Sequence, residues 1–336
     1  MKKSLLLASI FLLFSFSSFA RAKPGFGPLS TQSQNPLFQL FIQSPNERAG
    51  ILGDKHFLFE IQETVSNIFE KEASSKGSSL DLDMELYQTN FIFSYGLGKY
   101  FETGMKLPFL SFNGGFLDSF LQGYHHTFGF PNGGREEVAN GRLSYVIQDT
   151  AGHRYAPKLK AFGLGNLEFY FKTKIAEETR FFPALSLRHT FKIPTGRKSN
   201  GLGSGTPDLH FNLSLEKSYK ILHSYTNIGV SFLGGMSELD AILHSKLFTF
   251  SQSFEVQFCS LASVLAQVQG TSPYFHDTGI VSLDKIPLDL VIGFKGKGND
   301  QGKWEHFRWE VALAEDLLPS GPSVDFSAHF KFGLEF

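Results

Sequence analysis

Residues 323–336 read SVDFSAHFKFGLEF. Val324, Phe326, Ala328, Phe330, Phe332, Leu334 and Phe336 are apolar and alternate with Ser323, Asp325, Ser327, His329, Lys331, Gly333 and Glu335. A period of two belongs to a strand with one apolar and one polar face. A strand of a soluble sandwich usually runs about 5 to 6 residues, whereas one that crosses a membrane at a tilt needs roughly 9 to 11. The length of this stretch favours the membrane.

The other end of the chain argues the same way. Lys2 and Lys3 precede an apolar stretch from Leu5 to Phe16, and Ala20-Arg21-Ala22 offers small residues where a signal peptidase reads. This predicts a signal peptide over 1–22, a signal helix cleaved after Ala22, and export. No later run of eighteen apolar residues suggests a spanning helix. Loss of Lys2, Lys3 and Arg21 would leave 28 basic against 32 acidic residues, which gives no basic footprint for nucleic acid. Cys259 is the single cysteine, so no intrachain disulfide can form, and it reads as a small apolar residue at a strand end. Phenylalanine is abundant, 38 of 336 residues, and its spread through alternating stretches suits a lipid-facing surface with aromatic girdles.

The same alternation recurs along the chain. Leu167, Phe169, Phe171 and Ile175 oppose Asn166, Glu168, Lys172 and Lys174; Leu185, Leu187, Phe191 and Ile193 oppose Ser186, Arg188, Thr190 and Lys192. Leu209 to Leu215 oppose His210, Asn212, Ser214 and Glu216, and Phe248 to Phe258 oppose Thr249, Ser251, Ser253, Glu255 and Gln257. Less regular strands are expected over 55–66, 82–94, 99–110, 223–233, 260–270, 286–295 and 304–315. The fold class is therefore all-β, a closed antiparallel transmembrane β-barrel of about 12 strands (range 10–14) over 55–336. A periplasmic segment over 23–54 would precede it. With the C-terminus in the periplasm, turns at 95–98, 176–180, 218–221, near Cys259 and at 296–303 fall on that side. The mostly longer loops 67–80, 111–164, 194–206, 234–245 and 271–285 fall outside, as in bacterial outer-membrane barrels. Lys172, Lys174, Arg188, Lys192, Glu216 and Glu255 would face the lumen and either brace it or line a pore.

The ending HFKFGLEF resembles the C-terminal signal of outer-membrane proteins of Gram-negative bacteria, which implies that Phe336 is an assembly signal for the barrel assembly machinery. Within the insertion 111–164, Phe116, Leu117, Phe120, Leu121 and Tyr124 recur at helical spacing and predict a short amphipathic helix in the 113–128 loop. This helix would plug the lumen or lie at the membrane interface, with Asp118 to Arg135 as a gate. Gly27-Pro28-Leu29, Asn35-Pro36-Leu37, Leu117-Asp118-Ser119-Phe120 and His126 through Arg135 resemble the outer-membrane family catalogued as domain of unknown function 3187. The stretch from Pro194-Thr195-Gly196 to Asp208 is similar to barrels linked to uptake of aromatic compounds. The resemblance implies fold and outer-membrane location and carries no catalytic residues.

Three readings of function follow. The first is a porin-like channel or transporter for a small amphipathic molecule, which an open lumen would favour. The second is a lipid-modifying hydrolase with His125 or His126 as base and Asp118 nearby. Yet adjacent histidines on an extended segment point apart, Ser119 lies outside any GxSxG elbow, and there is no HExxH. The third is a structural or adhesive protein, with a lumen filled by side chains and outer loops on lipopolysaccharide; Arg135 could meet its phosphate but reads more simply as a solvated charge. GLGSGTPD lacks the lysine of a phosphate loop, and no motif calls for a metal or another cofactor.

Overall fold

The computed structural model describes residues 24–336 apart from 76, 116, 119–122, 124–126, 128–137, 300–303, 319–320, 323 and 325. The signal peptide, His125, His126, Arg135 and most of the expected 113–128 helix lie outside the described residues.

Twelve long strands form the wall: β1 (Phe57–Ala73), β2 (Ser79–Leu97), β3 (Phe101–Asn113), β7 (Leu167–Ala176), β8 (Ala184–Ile193), β9 (Asp208–Tyr219), β10 (Leu222–Phe232), β11 (Lys246–Cys259), β12 (Ala262–Thr271), β13 (Leu288–Lys297), β14 (Phe307–Asp316) and β15 (Phe326–Glu335). Three short strands, β4 (Ser144–Gln148), β5 (Arg154–Tyr155) and β6 (Gly163–Leu164), belong to the insertion and add to the outer ends of β2 and β3. Each long strand pairs antiparallel with its neighbours, and β1 pairs with β15 from Leu58↔Glu335 to Asn67↔Phe326. Reciprocal hydrogen bonds between Phe57 and Phe336, of 2.9 and 2.7 Å, finish the closing seam. A sheet in lipid must close in this way, because each unpaired backbone group there costs several kcal/mol.

The outward face is apolar where the bilayer sits. Tyr95, Tyr100, Phe101, Phe181, Phe182, Phe258, Trp304 and Phe336 are exposed around the short-turn end, while Phe162, Phe191, Phe232 and Phe248 are exposed nearer the long-loop end. These are the two aromatic girdles of a membrane barrel.

The connection between β1 and β2 differs from expectation. In place of a long loop over 67–80, the two strands stay paired as far as Ala73↔Ser79 and project beyond their neighbours. Their inner residues there, Ile68, Leu80, Leu82, Met84 and Leu86, are buried and apolar, so the alternation continues with its apolar face turned inward.

A larger correction concerns the segment 23–54, expected in the periplasm. Most of its described part, residues 24–52, runs inside the barrel. The chain enters at the turn end, climbs to a 3-10 turn at Phe38–Leu40 beneath the outer loops, and descends to β1. Leu29, Leu37, Phe38, Leu40, Phe41, Ile42 and Ala49 are all buried. Too apolar to be left in water, the segment finds its core inside the wall.

Candidate functional site

Both legs of this internal hairpin are held by inward-facing side chains. On the ascending leg, the N–H groups of Phe26 and Gly27 donate to Glu255 at 2.9 and 3.1 Å, and that of Leu29 donates to Gln267 at 3.0 Å. Ser30 N–H donates to Glu310 at 2.6 Å, and Lys295 and Lys331 flank the same carboxylate at 3.0 and 3.8 Å. Leu29 itself packs on Leu265, Val291, Ala312 and Ala314, where the wall is small and apolar.

The descending leg is held by charge. Glu47 accepts from Lys172 and Arg188, each at 3.2 Å, and Arg48 makes a forked contact with Glu216 at 2.8 and 3.2 Å. Lys172 Nζ also donates to the carbonyls of Arg48 and Gly50. Arg188 lies 3.6 Å over the Tyr170 ring, for which Gly104 leaves room: a Cβ there would come within 2.5 Å of it. Near the tip, buried Lys192 donates to Leu40 O and Ser204 and pairs with Asp208 at 2.5 Å, while Asp208 accepts the N–H of Ile42.

Of the lumen residues expected from sequence, Lys172, Arg188, Lys192, Glu216 and Glu255 thus converge on the hairpin. Lys174 does not; it pairs with Glu177 at the turn end. Asp118, expected at a gate, sits on the outside of the wall: it accepts from Asn67 Nδ2, an outward residue of β1, and from the N–H of Gly141. Next to it the N–H of Leu117 donates to outward-facing Glu85 of β2. The insertion therefore begins against the barrel's exterior. Sequence reading missed Glu47, Arg48, Asp208, Lys295, Glu310 and Lys331, although the last four share the inward phase of their strands.

The outer end is sealed by apolar packing. Phe38 stacks on Tyr274 with ring centroids 4.0 Å apart and 9° between planes, and Phe41 and Phe275 pack around the pair. Leu202, Leu239, Ile242, Leu243, Ile280 and Leu283 from the long loops complete the cap. Tyr145 Oη donates to Pro36 O and Asn35 Nδ2 to Pro322 O, which fixes the tip beneath them.

Below the hairpin the lumen is open toward the turns. A cavity of about 1030 Å³ is bounded by Glu60, Glu102, Lys106, Glu168, Lys172 and Lys331 among others, with Ile51, Leu52, Leu58 and Ile92 beside them. Exposed Cys259 lies at its mouth. A second cavity of about 20 Å³, space for one water, lies higher between Gln39, Gln43, Gln88, Asn166 and Phe41.

No cluster of three His, Cys, Asp or Glu side chains suited to a metal occurs among the described residues. Buried histidines do meet hydroxyls, His210 with Ser231 and His329 with Thr64 and Ser327, but they face the filled interior.

Wall, girdles and occupied lumen define a twelve-stranded β-barrel of the outer-membrane type, plugged by its own N-terminal segment. Residues 4–336 match the family described as protein of unknown function (DUF3187), and the chain belongs to that family. No curated protein matches it. Among solved structures, the chain is similar to the COG4313 outer membrane channel from Pseudomonas putida F1, with 11% identity over 85% of this chain and 97% of that one and a TM-score of 0.54. The toluene transporter TodX from Pseudomonas putida aligns over 96% of this chain and 98% of its own, with 11% identity and a TM-score of 0.39.

Proposed function

We propose that this barrel is a gated outer-membrane channel for a small amphipathic molecule, and that residues 24–52 are its gate. The carrying observation is the hairpin itself. Its two ends lie at the same mouth, above a polar vestibule, and it is bound to the wall through side chains and not through the wall's ladder hydrogen bonds. It can therefore shift toward the periplasm without opening the barrel. The vestibule, with charges of both signs beside Ile51, Leu52 and Ile92, suits a solute that is polar at one end and apolar at the other.

On this reading the protein is passive and performs no chemistry. It is exported with cleavage of residues 1–22, Phe336 is read by the assembly machinery, and the outer loops meet lipopolysaccharide. The COG4313 neighbour is described as an outer membrane channel, a role this proposal extends to the present chain.

The test is conductance in planar bilayers of the wild type against Glu47→Gln/Arg48→Gln. Removing the plug's own charges should turn rare, brief openings into frequent, long ones. Silence from both proteins, each shown to be folded by heat-modifiable gel mobility, would remove the channel and leave a structural barrel.

A further inference from the structure

The two cavities share three residues, Gln32, Lys106 and Glu168, and these stand between them. Lys106 Nζ lies 2.8 Å from Glu168 Oε1 and donates to Gln32 Oε1 of the hairpin at 3.1 Å. The pair is also the last rung between β3 and β7, whose ladder runs from Phe101↔Thr173 to Lys106↔Glu168 and stops. Two residues on, Pro108 has no N–H to donate, and β3 is next paired with Gly163 and Leu164. Opposite this point the hairpin is tied closely to the wall through Glu255, Gln267 and Glu310. On the β3–β7 side, open space continues upward as the smaller cavity.

We infer that Lys106 and Glu168, bridged to the hairpin by Gln32, form the constriction of the permeation route and select solutes whose polar end is a zwitterion, an ammonium and a carboxylate on one small molecule. This rests on the channel reading above. Both side chains are nearly buried, and separating a buried ion pair leaves two uncompensated charges, which is strongly unfavourable. A zwitterion compensates both at once, its carboxylate taking Lys106 and its ammonium taking Glu168. A simple anion or cation satisfies one and strands the other. Above the pair, the amides of Gln39, Gln43, Gln88 and Asn166 donate and accept alike, and Phe41, Pro108 and Leu110 offer contact to an apolar tail.

The experiment measures reversal potentials in a KCl gradient for the full-length wild type, Lys106→Gln, Glu168→Gln and the exchanged pair Lys106→Glu/Glu168→Lys, each also in the Glu47→Gln/Arg48→Gln background. The exchanged pair keeps the net charge and guards against misfolding of the single variants. Lys106→Gln should shift selectivity several-fold toward cations and Glu168→Gln several-fold toward anions, with the exchanged pair close to wild type. Leucine should reduce the wild-type current more than isoamylamine or isocaproate, which each carry one of its two charges. Currents with unchanged ion selectivity in both single variants would overturn the constriction while leaving the channel standing. Equal block by all three probes would overturn the zwitterion preference. Absence of current from every form would overturn the channel and this inference together.

Discussion

The seal at the outer end sets how often the barrel opens, and Phe38 is its centre. The ring is 1% exposed and stacked on Tyr274 at 4.0 Å. In Phe38→Ala the closed form loses the buried ring and keeps part of the cavity, a change that costs about 3–5 kcal/mol in protein cores. If opening withdraws Phe38 into water, the open form loses almost nothing. The whole cost then falls on the closed state, and with about 1.4 kcal/mol per factor of ten the ratio of open to closed rises roughly a hundredfold to a few thousandfold. Single-channel recording reads this as the fraction of time spent open. Phe254→Ala, which removes a ring that is 60% exposed on the outward face, serves as control and should leave that fraction unchanged. The reasoning is refuted if Phe38→Ala lowers the unfolding temperature of the barrel but leaves the open fraction as in wild type, because the cap is then a static core that opening does not breach.

Two further outcomes are expected. Asp118→Ala, on the exterior, should leave conductance unchanged while lowering stability by about 1–3 kcal/mol through the stranded donors of Asn67 and Gly141, read as a lower heat-modification temperature. The outer loops should also respond to acid. Burial would raise the Asp149 carboxyl, but hydrogen bonds from His153 and the Ala151 N–H outweigh it and hold the group below its ordinary 3.8; Glu238, likewise opposed by burial, is held below 4.5 by Lys198 and Ser237. Carboxylates depressed in the folded state stabilise above their unfolded pKa and lose that contribution as pH falls through the folded value. Hydrogen exchange around these two residues, corrected for the intrinsic pH dependence of amide exchange, should therefore be flat from pH 7 to about 5 and quicken only below the ordinary carboxylate range. Asp149→Asn should remove the acid response near residue 149, and quickening already at pH 6 would contradict the assignment.

The wall was legible because its code is local. Each strand carries its own alternation, and twelve such stretches with short turns on one side predict closure before any contact is known. The plug was not legible because its partners are distant: Phe26 meets Glu255, Ser30 meets Glu310 and Arg48 meets Glu216. Residues 24–52 have no period, two proline-leucine steps and no strand of their own. Two signals were nevertheless present. The stretch PLFQLFI is too apolar to sit solvated in the periplasm, and the inward phases of β7 to β9 carry Lys172, Arg188 and Glu216, which need counter-charges that Glu47 and Arg48 supply.

The misplaced loop over 67–80 has the same origin. Along the inner face of β2 the residues run Leu80, Leu82, Met84, Leu86 and then Gln88, Asn90, Ile92, Ser94; along the outer face they run Asp81, Asp83, Glu85 and then Tyr87, Thr89, Phe91, Phe93, Tyr95. Both faces exchange character near Tyr87. On β3 the inner face passes from Glu102 and Lys106 to Leu110 and Phe112, while the outer face passes from Leu107 and Phe109 to Ser111 and Asn113. An outer face turns polar where lipid gives way to water. An inner face can turn apolar at that height only if something apolar covers it, since exposed there it would meet solvent from the outer loops. The phase change on β2 and β3 therefore marks the level of the membrane surface and demands an apolar body inside the barrel above it. Phe38, Phe41 and Ile42 at the tip of the hairpin, together with the apolar loop residues of the cap, are that body, so the strand sequences alone contain the imprint of an apolar filling at the outer mouth.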